Sequence, residues 1–194
     1  SSYGIHVVKS ITGMDAAPGD LLISGTGSLT VAAGTASGTN SDSFGIYVSG
    51  GVTVSGGSTV IANGGAAGSR SMGIYAVSQI GTSGREISVT GGKAGNISYG
   101  LGSGGAITLS GGKITASGGE ALESYGIYAK TSVTIENDAD VTANGGTAID
   151  KSYGIYVSNG SVGITGSTVA ATGGEAGVSC GICADTSVTV GDNA

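Results

Sequence analysis

The chain has 194 residues, of which 41 are glycine, one is proline, one is phenylalanine and none is tryptophan; 39% are hydrophobic, 10% are charged and the formal net charge is −6. Seven basic residues against thirteen acidic ones exclude a nucleic-acid partner, because phosphate recognition needs clustered lysine and arginine. The apolar stretches are too short for membrane insertion, yet the chain is too apolar and too sparsely charged to stay unfolded, so the glycines need a structural role.

The chain opens on Ser2-Tyr3-Gly4-Ile5, a phrase of serine, an apolar residue, glycine and isoleucine or leucine that returns around Gly45, Gly73, Gly100, Gly126, Gly154 and Gly181. The successive spacings are 41, 28, 27, 26, 28 and 27 residues. A unit of about 27 residues therefore repeats, and the longer first spacing places an enlarged loop near residues 9–20, around Pro18. Each unit holds three short β-rich segments, as in Gly45-Ile46-Tyr47-Val48, Val52-Thr53-Val54 and Thr59-Val60-Ile61-Ala62, with no helical period between them. Such strands cannot bury a face alone. Stacked about 4.8 Å apart, each pairs with its copies above and below. The expected fold is all-β, a single right-handed parallel β-helix over residues 1–194, with about seven rungs of about 27 residues and three strands per rung. The pattern is already running at Ser2 and still running at Val190, as in a piece of a longer array. Unpaired rungs at the two ends would favour end-to-end self-association.

Pleating assigns faces to the columns. The column Tyr3, Phe44, Met72, Tyr99, Tyr125, Tyr153 and Cys180 reads as inward, sharing the interior with Ile5, Ile46, Ile74, Leu101, Ile127, Ile155 and Ile182. The alternate column, His6, Tyr47, Tyr75, Gly102, Tyr128, Tyr156 and Cys183, reads as outward and is broken at Gly102. Inward second-strand residues run from Leu21 through Val52, Ile80, Ile107, Val133 and Val162 to Val188. Glycine pairs such as Gly64-Gly65 and Gly118-Gly119 follow the third strand, where a sharp corner is expected to need positive φ.

The stretches SYGIY, VTVSGG and VTANGG resemble the secreted Gly/Thr-rich β-helix repeats of bacterial surface proteins, including adhesin-like and carbohydrate-binding-like repeats. In rung design the chain is similar to the pectin-lyase-like superfold. That resemblance implies a secreted or cell-surface location and admits polysaccharide lyases, hydrolases and non-enzymatic adhesins alike.

Four features carry candidate chemistry. The outward tyrosines Tyr47, Tyr75, Tyr128 and Tyr156 offer flat faces to sugar rings, although tyrosines on successive rungs also stack simply on one another. The acids Glu120, Glu123, Asp150 and Glu175 collect at the corner between third and first strands, where neighbouring carboxylates would suit glycoside hydrolysis or a weak Ca²⁺ site, and where solvated charge also keeps a rod soluble. Outward threonines, among them Thr53, Thr108, Thr134 and Thr189, raise ice binding, but Leu22, Gly81 and Gly163 interrupt the row. Cys180-Gly181-Ile182-Cys183 has Cys-x-x-Cys spacing, yet simple alternation puts the thiols on opposite faces with Cα atoms about 10 Å apart. The serine column, Ser2, Ser43, Ser71, Ser98, Ser124, Ser152 and Ser179, suits hydroxyls bonded to backbone at a corner or to one another, and the single histidine, His6, offers no base to them. The resulting expectation is a non-catalytic extracellular module, without cofactor, metal or catalytic residue, presenting a rigid surface to a polysaccharide or host cell-surface glycan. The alternatives are a structural spacer or stalk, a polysaccharide lyase or hydrolase, and an ice-binding surface.

Overall fold

The computed structural model describes residues 1–8 and 19–191; residues 9–18 of the expected enlarged loop, Pro18 included, lie outside the described residues. Twenty strands and no helix are present among the described residues, arranged in three parallel sheets. The first sheet contains Ser2–Val7, Asp42–Val48, Arg70–Ala76, Ile97–Ser103, Ala121–Ala129, Ala148–Val157 and Val178–Ala184. The second contains Leu21–Ile23, Val52–Val54, Ile80–Thr82, Ala106–Ser110, Ser132–Glu136, Ser161–Ile164 and Ser187–Val190. The third contains Ser28–Ala32, Thr59–Asn63, Glu86–Thr90, Lys113–Ser117, Asp140–Asn144 and Thr168–Thr172. Each strand pairs with its own copy one turn later, as in Ser98 with Ser124, Ile107 with Val133 and Ile114 with Val141. The chain is thus a parallel β-solenoid of three strands per coil, at the repeat length read from its glycines.

Alternating β-branched residues build the interior. Ile46, Ile74, Leu101, Ile127 and Ile155 of the first sheet meet Val52, Ile107 and Val133 of the second and Val60, Ile114 and Val141 of the third in one continuous buried cluster. Ala62, Ala116 and Ala143 keep the third wall close. Each isoleucine taken out of water contributes about 1.5–3 kcal/mol, so the stack can stabilise strands that are individually too short to persist. Thr82 takes an inward place between Val54 and Leu109, and its hydroxyl is the one buried side-chain polar atom without a partner among the described residues.

Two expectations about this frame are corrected. The column from Tyr3 to Cys180 does not line the interior: Phe44, Met72, Tyr99, Tyr125 and Tyr153 form a second buried cluster, separate from the core, together with Tyr47, Tyr75, Tyr128 and Tyr156. The cause is the glycine between the two columns. A Cβ on Gly126 would stand 2.6 Å from the Asn144 nitrogen and 2.9 Å from the Ala116 oxygen, so the first strand rests here against the end of the third. The paired register passes from Tyr99–Tyr125 to Leu101–Ile127 and skips the glycine, so the alternation slips by one residue and returns positions i and i+3 to one face.

The second correction concerns the paired glycines after the third strand. None of them, from Gly64-Gly65 to Gly173-Gly174, has a left-handed φ. The first of each pair is glycine because the serine column occupies the space, and the second because the glycine backbone of the preceding coil does. The Ser124 hydroxyl, fully buried, donates to the Gly119 carbonyl at 2.7 Å and accepts from the Gly146 N–H, one coil later, at 2.9 Å. Ser71, Ser98 and Ser152 repeat this bridge, so a hydroxyl–glycine ladder runs up the corner. Of the two roles expected for the serines, bonding to corner backbone is the one found.

Candidate functional site

The slip at the glycine turns the outer side of the first sheet into a double aromatic column. Within a rung the two rings meet: Phe44 and Tyr47 have centroids 5.1 Å apart, Tyr125 and Tyr128 5.6 Å, and Tyr153 and Tyr156 4.8 Å with planes only 16° apart. Between rungs the layer continues through Tyr47–Tyr75 at 6.0 Å, Tyr125–Tyr153 at 5.5 Å and Tyr128–Tyr156 at 6.1 Å. These are separations at which offset and edge-to-face ring pairs are favourable. The break expected at Gly102 is present, since among the described residues no ring pair joins Tyr75 to the rings beyond it, and the Tyr99 ring of the neighbouring column leans into the space. A Cβ there would lie 2.7 Å from the Tyr99 ring and 2.9 Å from the Tyr75 ring, and Tyr99 stacks parallel to Tyr128 at 4.8 Å. Thus Tyr47, Tyr75, Tyr128 and Tyr156 are half-buried members of a layer whose other column is almost wholly covered.

Charge flanks this face at the start of the strands. Arg70 grips Asp42 through two nitrogens, at 2.6 and 3.0 Å, and its guanidinium lies 5.7 Å from the Phe44 ring centroid. Further along the rod, Lys151 meets Glu123 at 3.1 Å, and Glu123 also accepts the Tyr125 hydroxyl at 2.7 Å. The hydrogen bond to Asp42 raises the Arg70 pKa, and that to Glu123 raises the Lys151 pKa. Burial pushes Tyr75, Tyr99 and Tyr153 upward, and burial together with the Glu123 bond does the same for Tyr125. These phenols are held neutral through the physiological range. Tyr128 shares a 3.1 Å hydrogen bond with Ser158.

The four candidate acids lie along the nearby corner without converging. Glu120 is held by Lys93 at 2.7 Å and Glu123 by Lys151. Backbone bonds from Ala94 to Glu120, from Ala121 to Thr147 and from Ala148 to Glu175 show that Thr147 occupies the rung between Glu120 and Glu175. Two rungs separate those residues by about 9.6 Å along the axis. Asp150 is exposed beside Lys151. An open groove of about 190 Å³ runs here, lined by Glu120, Leu122, Thr147 and Ile149. Among the described residues no group of three histidine, cysteine, aspartate or glutamate side chains gathers as a metal site.

The threonine rows stand where the repeat puts them, with Gly81 beside Thr108 and Gly163 beside Thr134 in the second sheet. The cysteines do not stand where alternation put them. Cys180 pairs with Tyr153 and Cys183 with Tyr156, and both pack against the aromatic cluster on one face. The slip at Gly181 is again the reason. The signal that could have found both the double column and the thiol pair is the glycine fixed inside every first strand, because a glycine amid strand residues marks a kink. Comparison of the chain with family models, with curated proteins and with solved structures finds no match.

Proposed function

We propose that this solenoid is a non-catalytic, extracellular module of bacterial surface type, whose aromatic face on the first sheet is a rigid platform for glycan binding or adhesion. The observation that supports it is the double aromatic column, in which Tyr99 leans into the space beside Gly102 and stacks on Tyr128. Half-buried Tyr47 and Tyr75, and beyond Gly102 Tyr128 and Tyr156, stand in register along the rod, fixed before any ligand arrives, so little ordering entropy opposes binding. The lysine partners of Glu120 and Glu123 favour binding over a lyase or hydrolase. A structural spacer is the second reading, favoured by how completely Tyr99, Tyr125 and Tyr153 are covered, at 7, 3 and 7% exposure.

Glycan-array screening followed by calorimetric titration separates the two. A binding platform retains at least one saccharide class, and Tyr128→Ala with Tyr156→Ala lowers its affinity by at least about tenfold, the equivalent of about 1.4 kcal/mol. The corresponding phenylalanine variants keep the stacking surface and hold most of the affinity. An array without hits, or alanine variants that bind as the parent does, leaves the spacer.

A further inference from the structure

Resting on the glycan-platform reading, we propose that the aromatic face carries two equivalent sites three rungs apart, and that its partner is a straight, uncharged, β-1,4-linked polysaccharide engaging both at once. The rungs of the first sheet repeat in threes. Asp42, Arg70 and Ile97 stand in register on successive rungs, and their column continues as Glu123, Lys151 and Val178. Tyr47, Tyr75 and Gly102 are followed in the same way by Tyr128, Tyr156 and Cys183. Each of these residues lies 81 positions from its counterpart, the length of three coils. The second sheet keeps the order, with Thr53, Gly81 and Thr108 ahead of Thr134, Gly163 and Thr189. Two blocks of three rungs therefore lie end to end, and each block brings one acid, one base and two tyrosines to the same face.

The two blocks match in geometry as well as in order. Tyr47 and Tyr75 have ring centroids 6.0 Å apart, and Tyr128 and Tyr156 6.1 Å. Asp42 holds Arg70 at 2.6 Å and Glu123 holds Lys151 at 3.1 Å, each across one rung step, and the two bases stay 46 and 48% exposed. With rungs about 4.8 Å apart, corresponding groups lie about 14 Å apart along the rod and face the same way. Two like sites fixed in line on a rigid rod are engaged together only by a partner that repeats along its own length. Each acid cancels the charge of its base, so neither site draws in a polyanion as an unpaired basic group would. What remains on the flank of the tyrosines is a set of donors on the base and acceptors on the carboxylate, which suits sugar hydroxyls because each can both donate and accept. A β-1,4-linked glucan chain, straight and uncharged, meets both conditions.

The test titrates the full chain by calorimetry with cellotriose, short enough for one site, and with cellohexaose, long enough for both. Two cellotrioses and one cellohexaose per chain are expected, the hexasaccharide bound at least about tenfold more tightly because its second contact is made at high effective concentration. Tyr75→Ala and Tyr156→Ala act alike: each leaves one cellotriose per chain and brings cellohexaose down to the affinity of cellotriose. Circular dichroism checks the fold of each variant, and where a variant fails to fold the two stoichiometries of the parent still count the sites. One cellotriose per chain, cellohexaose held no more tightly than cellotriose, or an effect confined to one of the two tyrosines would overturn the paired sites. Glycan-array hits with neither oligosaccharide bound overturn the choice of partner and leave the platform standing, whereas an array without hits removes the platform and the paired sites together.

Discussion

Each coil turns two glycine-rich corners, and the glycines are there for opposite reasons. Between second and third strands the backbone enters the left-handed region: Gly56 and Gly57 have φ of 72° and 78°, and Gly111 and Gly112 have 67° and 73°. One coil after the latter pair, Asn137 and Asp138 hold the same turn at 58° each, the residue types that best tolerate this conformation. At the paired glycines that follow the third strand φ is ordinary and space is missing, because the serine hydroxyls and the glycine backbones of adjacent coils fill it. The first corner selects glycine for conformation and accepts a polar substitute. The second selects it for volume, and the substitute it takes is alanine: Ala33 stands in the first coil where Gly64, Gly91 and Gly118 stand in later ones. A glycine column in a solenoid therefore has no single meaning, and its meaning is set by what packs against it.

The sharpest test of that difference is Gly118→Ala. A Cβ there lies 2.8 Å from both the nitrogen and the oxygen of Tyr125 and presses on the Ser124 hydroxyl. Backbone on a paired strand cannot withdraw as a flexible side-chain tip can, so the added methyl costs about 3 kcal/mol, the upper end of ordinary overpacking. For a chain of this size that corresponds to roughly 10 °C in the thermal midpoint, read by circular dichroism. A drop below roughly 3 °C would mean the corner relaxes, and the contrast between the two corners would fail.

Ser124→Ala probes the same corner by removal. The variant creates no clash, but it strands the Gly146 N–H and deprives the Gly119 carbonyl of its donor inside a fully buried corner. Leaving such groups unpaired costs about 2 kcal/mol. Chemical denaturation should show that loss without a change in the slope with denaturant, since the surface exposed on unfolding is unaltered. A neutral Ser124→Ala would make the ladder decorative and would assign the glycine requirement to coil stacking alone.

Much of this was legible beforehand, and the failures share one cause. Repeat length, three strands per coil and the Ile127 and Val133 columns follow from period-two alternation within short segments, which holds wherever both neighbouring strands are paired. The serine ladder was legible because Ser124 recurs where a corner must satisfy backbone groups. Alternation carried through Gly126 and Gly181 treats them as ordinary strand residues. That one step puts Tyr125 in the core and parts Cys180 from Cys183. The paired glycines show the mirror image: the sequence suggests conformational freedom at Gly118-Gly119, whereas Gly111-Gly112 uses it. Sequence shows that a position excludes side chains, but whether φ or volume excludes them depends on the coil above.

The smallest effects are expected at the conformational corner, and their smallness is the point. Gly57 sits at φ 78°, and a methyl group added there would meet nothing within 4 Å. Only the intrinsic cost of the left-handed region therefore opposes a side chain. Gly57→Asn should lose less than about 1 kcal/mol, while Gly57→Val, whose branched Cβ suits that region poorly, should lose about 2 kcal/mol. The reverse change, Asp138→Gly, relieves a φ of 58° but gives the unfolded chain more freedom to lose, so the two contributions offset and the thermal midpoint moves by less than about 2 °C. If Gly57→Asn were instead as damaging as Gly118→Ala, volume would govern both corners, and the Asn137-Asp138 turn would owe its tolerance to the extra residue, Ala139, buried behind it.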